Sequence, residues 1–261
     1  MNKIDFRLSV DEWAAALSFC GHVETGKKLL YTYFGELSEL EVKTKLLTAA
    51  HSLIARDLLA PTKENKMILA KELEFAANLL DSCDYSLRFT KTSKKIEDHL
   101  TLHFHSNRYF EHRIIDGVVH KLTELTSKDE IPDIGWGFLE LQTTKGFKAE
   151  SHELELALFD ELRKEFDPKL LGNQLIETGM SKKEAKLLAE DFVNERFRGS
   201  VLRVEYPGGD EMIADEGFLI LLGEKRSWII SYFVHDETDL IKLQPCSKEL
   251  LKVMVMELLA S

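Results

Sequence analysis

Cysteine is scarce in this chain. Cys20, Cys83 and Cys246 are odd in number, far apart and outside any C-x-x-C pair. They offer no disulfide framework and no zinc ribbon, and their usage suits a reducing cytoplasm. Long apolar runs are also missing: the longest, Phe218–Leu222, has five residues, where a membrane span needs about 20. The opening Met1-Asn2-Lys3-Ile4-Asp5 is polar and lacks an apolar signal core. Positive charge is in deficit, with 34 Lys+Arg against 45 Asp+Glu and a net charge of -11. Phosphate recognition needs a basic face, so the balance speaks against DNA or RNA as the main partner. The one basic stretch, Arg88, Lys91, Lys94 and Lys95, reads as a solvated strand and loop. There is no GxGxxG, no GxxxxGK[ST] and no GxSxG, so no phosphate cradle, cofactor or catalytic residue is assigned.

What is present is an ordinary globular composition, 44% hydrophobic and 30% charged. Ser9-Val10-Asp11-Glu12 has the form of a capping box and opens a helix ended by Gly21. A helix near Lys27–Phe34 follows. Ser38-Glu39-Leu40-Glu41 repeats the box and starts a helix expected to run to Leu59, stopped by Pro61. A further helix is expected over Lys66–Leu80. The period then changes to two: Tyr85–Thr90, Leu100–His105, Phe110–Ile115 and Val118–Leu125 read as strands. Ile131–Lys148 reads as a connection, with a short helix or strand at Gly137–Leu141. Helices are expected over His152–Phe166, from Pro168 to Gly179, and from Ser181 to Asn194. Strands return at Ser200–Tyr206, within Glu211–Leu222, at Ser227–Val234 and at Asp239–Leu243, before a final helix Lys248–Leu259 capped by Ser247.

The order of the first half thus recurs in the second. The expected fold is α+β with two similar halves, each placing helices on an antiparallel sheet, in a quasi-two-fold arrangement with an internal duplication of about 115–130 residues. The halves are residues 1–130 and 149–261, joined by the connection 131–148.

Histidine is the first chemical temptation, because His103, His105 and His112 lie on one predicted hairpin. A two-residue turn at Asn107-Arg108 would let them converge on a zinc ion. A three-residue loop, Ser106-Asn107-Arg108, instead aligns Leu100, Leu102 and Phe104 with Phe110 and Ile114. A one-residue slip flips every side chain, so the apolar match selects the second register. It sets His103 opposite Glu111 as a polar pair, and no metal is assigned. Acidic pairs such as Asp210-Glu211, Asp215-Glu216 and Glu153-Glu155 read as surface charge. Pro207-Gly208-Gly209-Asp210 reads as a turn. Phe218–Leu222 and Trp228–Phe233 are nearly continuous apolar strands, expected to be covered on both faces. The terminal helix is apolar almost all round and is expected to be buried in the chain.

Ser52-Leu53-Ile54-Ala55-Arg56-Asp57-Leu58-Leu59 resembles an early alanine-arginine-glycine-leucine segment of the EspG family, the secretion-associated chaperones of mycobacterial ESX (type VII) systems. Arg198-Gly199-Ser200-Val201-Leu202-Arg203-Val204 is similar to a strand in that family's second half, and the order of elements resembles it over nearly the whole chain. Asp57 stands where that family usually has glycine, and its later aspartate-glycine-arginine segment has no clear counterpart. The resemblance implies a non-catalytic chaperone that holds a helical secretion substrate.

The leading reading is therefore a non-enzymatic, cytoplasmic, protein-binding α+β protein. A small-molecule binder or enzyme with a pocket between the halves is the alternative, and a winged-helix-like regulator the third. The expected partner surface is the two hairpin tips. Arg108 and Tyr109 mark one; Lys225 and Arg226, anchored by Trp228, mark the other, because arginine beside an aromatic is the mix enriched at interface hot spots.

Overall fold

The computed structural model describes residues 3–64, 66–93, 96–141, 150–195, 197–206 and 213–260. The turn expected at Pro207-Gly208-Gly209-Asp210, the pair Lys94-Lys95 and the connection after residue 141 lie outside the described residues. The chain divides into two compact units. Unit one comprises Met1–Ser86, Leu100–Lys128 and Glu205–Ile213; unit two comprises Leu87–His99, Asp129–Val204 and Ala214–Ser261. The boundaries drawn from sequence follow element order, whereas the units interleave along the chain.

Unit one begins with β1 (Asp5–Ser9), an edge strand that carried no sequence signal, and passes directly into α1 (Val10–Phe19). Ser9 Oγ accepts from the Glu12 N–H at 3.2 Å, and the Glu12 carboxylate accepts from the Ser9 N–H at 2.8 Å, the reciprocal capping box its sequence spells. After α2 (Val23–Phe34), Ser38 and Glu41 cap α3 (Glu39–Ala55) in the same way. This helix stops at Ala55, four residues before the expected end. Asp57 adopts φ +57°, in the left-handed region, which glycine enters freely and aspartate tolerates. The residue that departs from the EspG-like segment thus keeps the conformation glycine would supply. Pro61 does not stop the helix. It lies in β2 (Leu59–Pro61), which pairs with β3 (Met67–Leu69) ahead of α4 (Lys71–Asp81), so the expected helix from Lys66 begins as a strand.

Strand β4 (Tyr85–Thr92) leads to β5 (Glu97–His105), β6 (Arg108–Ile115) and β7 (Val119–Glu124). Within unit one the antiparallel order is β1-β7-β6-β5. Ile4, Leu8, Phe110 and Leu122 pack in one core with Trp13 and Leu17 of α1, Leu53 of α3 and Leu73 and Ala77 of α4. The β5–β6 turn consists of Ser106 (φ 50°) and Asn107 (φ 61°), both left-handed, as a two-residue hairpin turn of this hand requires. His103 therefore pairs with Phe110, Thr101 with His112 and Leu102 with Glu111. Neither register weighed from sequence is adopted, and the expected His103–Glu111 pair is not formed.

Unit two contains α5 (Ile131–Phe138), a helix in the stretch expected to be a connection, with Pro132 at its start. It is followed by β8 (His152–Glu155), α6 (Leu156–Leu162), α7 (Pro168–Glu177) and α8 (Lys182–Val193). The sheet continues with β9 (Phe197–Glu205), β10 (Ile213–Leu222), β11 (Ser227–His235) and β12 (Thr238–Pro245), and α9 (Lys248–Leu258) closes the chain. The strand order is β4-β9-β10-β11-β12-β8. Successive residues Ile220–Leu222 and Trp228–Ile230 are buried, so both faces of β10 and β11 are covered there. Leu219 and Tyr232 are exposed. Helix α9 buries Leu251, Val255 and Leu258 but leaves Val253 exposed; it has one buried face rather than the all-round burial expected. The fold is α+β. In chain order, β1, α1–α3, the β2–β3 pair, α4, β4–β7 and α5 are followed by β8, α6–α8, β9–β12 and α9.

Helix α5 shows why a glycine-bearing stretch can still be helical. A Cβ on Gly135 would lie 2.3 Å from Phe89 Cε1 and 3.0 Å from its Cδ1, and Phe89 is fully buried. Gly135 is the notch into which that ring fits. Gly135→Ala is expected to lower stability in urea by about 1–3 kcal/mol, because overpacking outweighs alanine's helix preference of about 1 kcal/mol. An unchanged or raised midpoint would show that the ring has room to move.

Candidate functional site

The helical layer of unit one carries a groove of about 580 Å³ between α1, α2 and α3. Ala15, Val42 and Ala50 form its buried floor, where two alanines leave space larger side chains would fill. Phe19, Tyr31 and Leu47 stand at its mouth, 43%, 42% and 56% exposed. Charge is confined to the rim, with Lys27, Lys43 and Glu39. Two hydroxyls line it: Ser18 Oγ donates to Ala14 O at 2.8 Å, and that of Tyr31 stands at the exposed mouth. Lys45 braces α3: its Nζ lies 3.5 Å from Asp11 Oδ1 and 3.5 Å from the centroid of the Phe34 ring. Burial raises the pKa of the Glu12 carboxyl. Hydrogen bonds from Ser9, from Ser52 Oγ at 2.7 Å and from Arg56 Nη1 at 3.0 Å outweigh this, leaving the pKa below the usual value. Glu12 thus joins the start of α1 to the end of α3.

Beneath this layer runs a row of imidazoles. Ser86 Oγ and His103 Nδ1 are 2.9 Å apart, His103 Nε2 and His112 Nδ1 3.1 Å, and His112 Nε2 and His120 Nδ1 2.8 Å. Cys83 Sγ sits 3.6 Å from His103 Nδ1. At the far end His120 Nε2 is buried with no hydrogen-bond partner. The Tyr33 ring of α2 lies against His120, with centroids 5.4 Å apart, and Trp13 Nε1 of α1 donates to the His120 carbonyl at 3.5 Å. Burial pushes the pKa of His103 and of His120 down to about 4. Burial, then the neighbouring His103 and His120, hold His112 well below the ordinary value. The rings face one another in line instead of converging on a point. Among the described residues no group of three His, Cys, Asp or Glu could hold a metal ion.

The residues expected to bind a partner sit in less open places than their loops suggest. Arg108 Nε and Nη2 donate to Glu124 Oε1 and Oε2, each at 2.8 Å, and its guanidinium lies 4.4 Å from the Phe75 ring centroid. Tyr109 is half-buried, edge-on to Phe104. At the other hairpin Glu224 and Lys225 are exposed, whereas Arg226 and Trp228 are not. Arg226 Nε and Nη2 donate to Asp191 Oδ2 and Oδ1 at 2.6 and 3.2 Å, and Trp228 Nε1 donates to Asp191 Oδ2 at 2.9 Å. Asp191 and Trp228 are buried, so this trio is a fastening between α8 and the β10–β11 hairpin of unit two. A Cβ on Gly223 would approach Asp191 Oδ1 to 2.3 Å, which explains the glycine in that loop. Arg108 and Tyr109 belong to unit one, and Lys225, Arg226 and Trp228 to unit two. Sequence reasoning passed over the groove because Phe19, Tyr31 and Leu47 belong to helices otherwise read as core, and over Asp191 because it sits among the surface charges of α8. Of the acidic pairs, Glu153, Glu155 and Glu216 are exposed, and Asp210-Glu211 lies outside the described residues. Lys91 is paired with Glu140 at 2.7 Å. Among the described residues no helix is long and apolar enough to cross a membrane.

A family model described as "Uncharacterised protein YfjC" matches residues 5–255. No curated protein matches the sequence. Among solved structures, the Mycobacterium tuberculosis type VII secretion system chaperone EspG5, in complex with a PE25-PPE41 dimer, is similar with a TM-score of 0.72 over 98% of this chain and 96% of that one. The two are 11% identical. The likeness is one of fold, and it bears out the resemblance read from the sequence at that level.

Proposed function

We propose that this chain, which belongs to the YfjC family, is a non-catalytic binding protein that holds a helical segment of another protein in the groove between α1, α2 and α3. The groove carries the reading. It is apolar on floor and mouth and charged only at the rim, which suits the i, i+3, i+4 anchors of an amphipathic helix. A small-molecule site needs a few polar groups converging on its ligand; here the Ser18 hydroxyl is spent within α1, and the Tyr31 side chain and the charged rim stand at the exposed mouth and not on the buried floor. A chaperone of similar fold is known in complex with a protein dimer, which supports a protein partner. On this reading the protein acts in the cytoplasm, as a chaperone for a helical secretion substrate, and its recurring element order descends from an internal duplication.

The test is capture from the native host by the tagged chain, identification of the captured protein by mass spectrometry, and titration with that protein purified. Tyr31→Glu and Leu47→Glu are expected to weaken binding at least about tenfold while leaving thermal stability nearly unchanged, since exposed substitutions cost within about 0.5 kcal/mol. Lys225→Glu and Tyr109→Ala report on the hairpin tips. If they weaken capture and the groove variants do not, the partner surface lies at the tips and the groove assignment is wrong.

A further inference from the structure

We infer that the row Ser86–His103–His112–His120 is a one-proton latch, which holds α2 on the sheet when neutral and releases it on acidification. The inference concerns regulation of the proposed groove and rests on that reading only for its biological use. Each of the two imidazole–imidazole junctions holds one proton, since two N–H groups face to face repel and two lone pairs make no bond. Beyond those two, the rings can carry a hydrogen only at His103 Nδ1, facing Ser86, and at His120 Nε2, which faces nothing. Three neutral rings need three hydrogens, so the intact row can accept one more. A second excess proton must break a junction.

No counter-charge awaits even the first proton. Every other ring nitrogen in the row faces Ser86, Cys83 or another imidazole. The titratable and charged groups on the surrounding elements are engaged elsewhere. On the same face of β5, His105 Nδ1 lies 3.3 Å from Asp84 Oδ1, and its ring stands edge-on to Phe75. On β6 and β7, Arg108 pairs with Glu124. On α1, Glu12 is bound to Ser52 and Arg56. From β1 the residue opposite His120 is Leu8, and from α2 the neighbour is the Tyr33 ring, itself harder to ionise because it is buried. An imidazolium at His120 is stabilised only if water reaches Nε2, and Tyr33 lies against that ring. Tyr33 packs with Leu30, Val42 and Leu46, and Val42 and Leu46 line the groove. Lifting α2 to hydrate the proton therefore takes the groove apart.

Hydrogen exchange on the full, partner-free chain tests the latch, with labelling times corrected for the intrinsic pH dependence of exchange. Between about pH 7 and about pH 5, where an unfolded histidine gains its proton, protection of Val23–Phe34 is expected to fall at least about tenfold. That of Lys182–Val193 is expected to hold. His120→Phe, which fills the space without a titratable nitrogen, is expected to abolish the change in α2. Loss of protection in both helices together, or none in α2, overturns the latch. Should His120→Phe fail to fold, imidazole NMR of the wild type decides. The folded state is expected to gain no more than one proton across the three rings, and three independent titrations near the ordinary value overturn the inference. Because no partner is present, a failed latch and a failed groove assignment are separate results.

Discussion

Asp191→Ala is expected to lower the stability of the chain by about 3–5 kcal/mol, the range for removing one partner of a buried, hydrogen-bonded charge pair. Asp191 is 3% exposed and accepts three hydrogen bonds, two from Arg226 and one from Trp228. With its carboxylate gone, a guanidinium only 12% exposed loses its nearest counter-ion and keeps the more distant Glu190 at 3.6 Å, while the buried indole N–H loses the 2.9 Å bond to Asp191. For a chain of this length the loss corresponds to a melting temperature lower by about 10 °C. Arg226→Glu is expected to do comparable damage by setting two carboxylates against each other. This differs from the near-neutral outcome its place in a polar hairpin suggests. Lys225→Glu, one residue away and exposed, is expected to stay within about 0.5 kcal/mol. Thermal denaturation of the three variants is decisive. An Asp191→Ala protein within about 1 kcal/mol of wild type would falsify a structural role for the trio.

The second large effect is on pH. His103 and His120 are held near a pKa of about 4 by burial, whereas both titrate near about 6.5 in the unfolded chain. Above that value both states are neutral and stability is at its full level. As pH falls below it, the unfolded chain binds protons that the folded one refuses, so stability drops until the folded pKa is reached. At about pH 5 the loss is about 2 kcal/mol for each of these two buried rings, and His112 adds to it in the same direction. All three rings belong to unit one, so the loss falls on that unit, and its total is comparable with the stability of a small domain. Urea midpoints measured from about pH 7 down to about pH 5 are expected to fall steeply, and His120→Phe is expected to flatten the slope by about one proton's share. A flat profile in the wild type would mean that the rings protonate freely while folded.

Much of the architecture could be read from local chemistry. Ser9 with Glu12 and Ser38 with Glu41 announce helix starts because a capping box is written within four residues. The alternating strands β5 to β7 were equally plain. The β5–β6 register was not, for a physical reason. Apolar matching selects a register when only one face of a hairpin is buried. Here Leu100, Leu102 and Phe104 on one face and Phe110 on the other are all buried, so the pattern has no wet side to discriminate. The turn that sets the register, Ser106-Asn107, takes two left-handed residues without the glycine that usually signals them. Strands β1 and β8 escaped notice because each is a short edge strand running straight into a helix. The groove was legible residue by residue, as apolar positions on three helices. That they face outward together depends on how those helices pack, which no single period records.

Interleaving of the units has a consequence for how the chain can be divided. A break after Lys128 would leave residues 87–99 on the first fragment, severed from the stretches 129–204 and 214–261 with which they form unit two. Phe89 would be parted from Gly135, the notch that receives its ring. The same break would strip unit one of residues 205–213. No single scission yields a fragment holding all of either unit and nothing else, so partial proteolysis or truncation cannot deliver one as a self-contained piece. The chain is indivisible in sequence even though it forms two compact units.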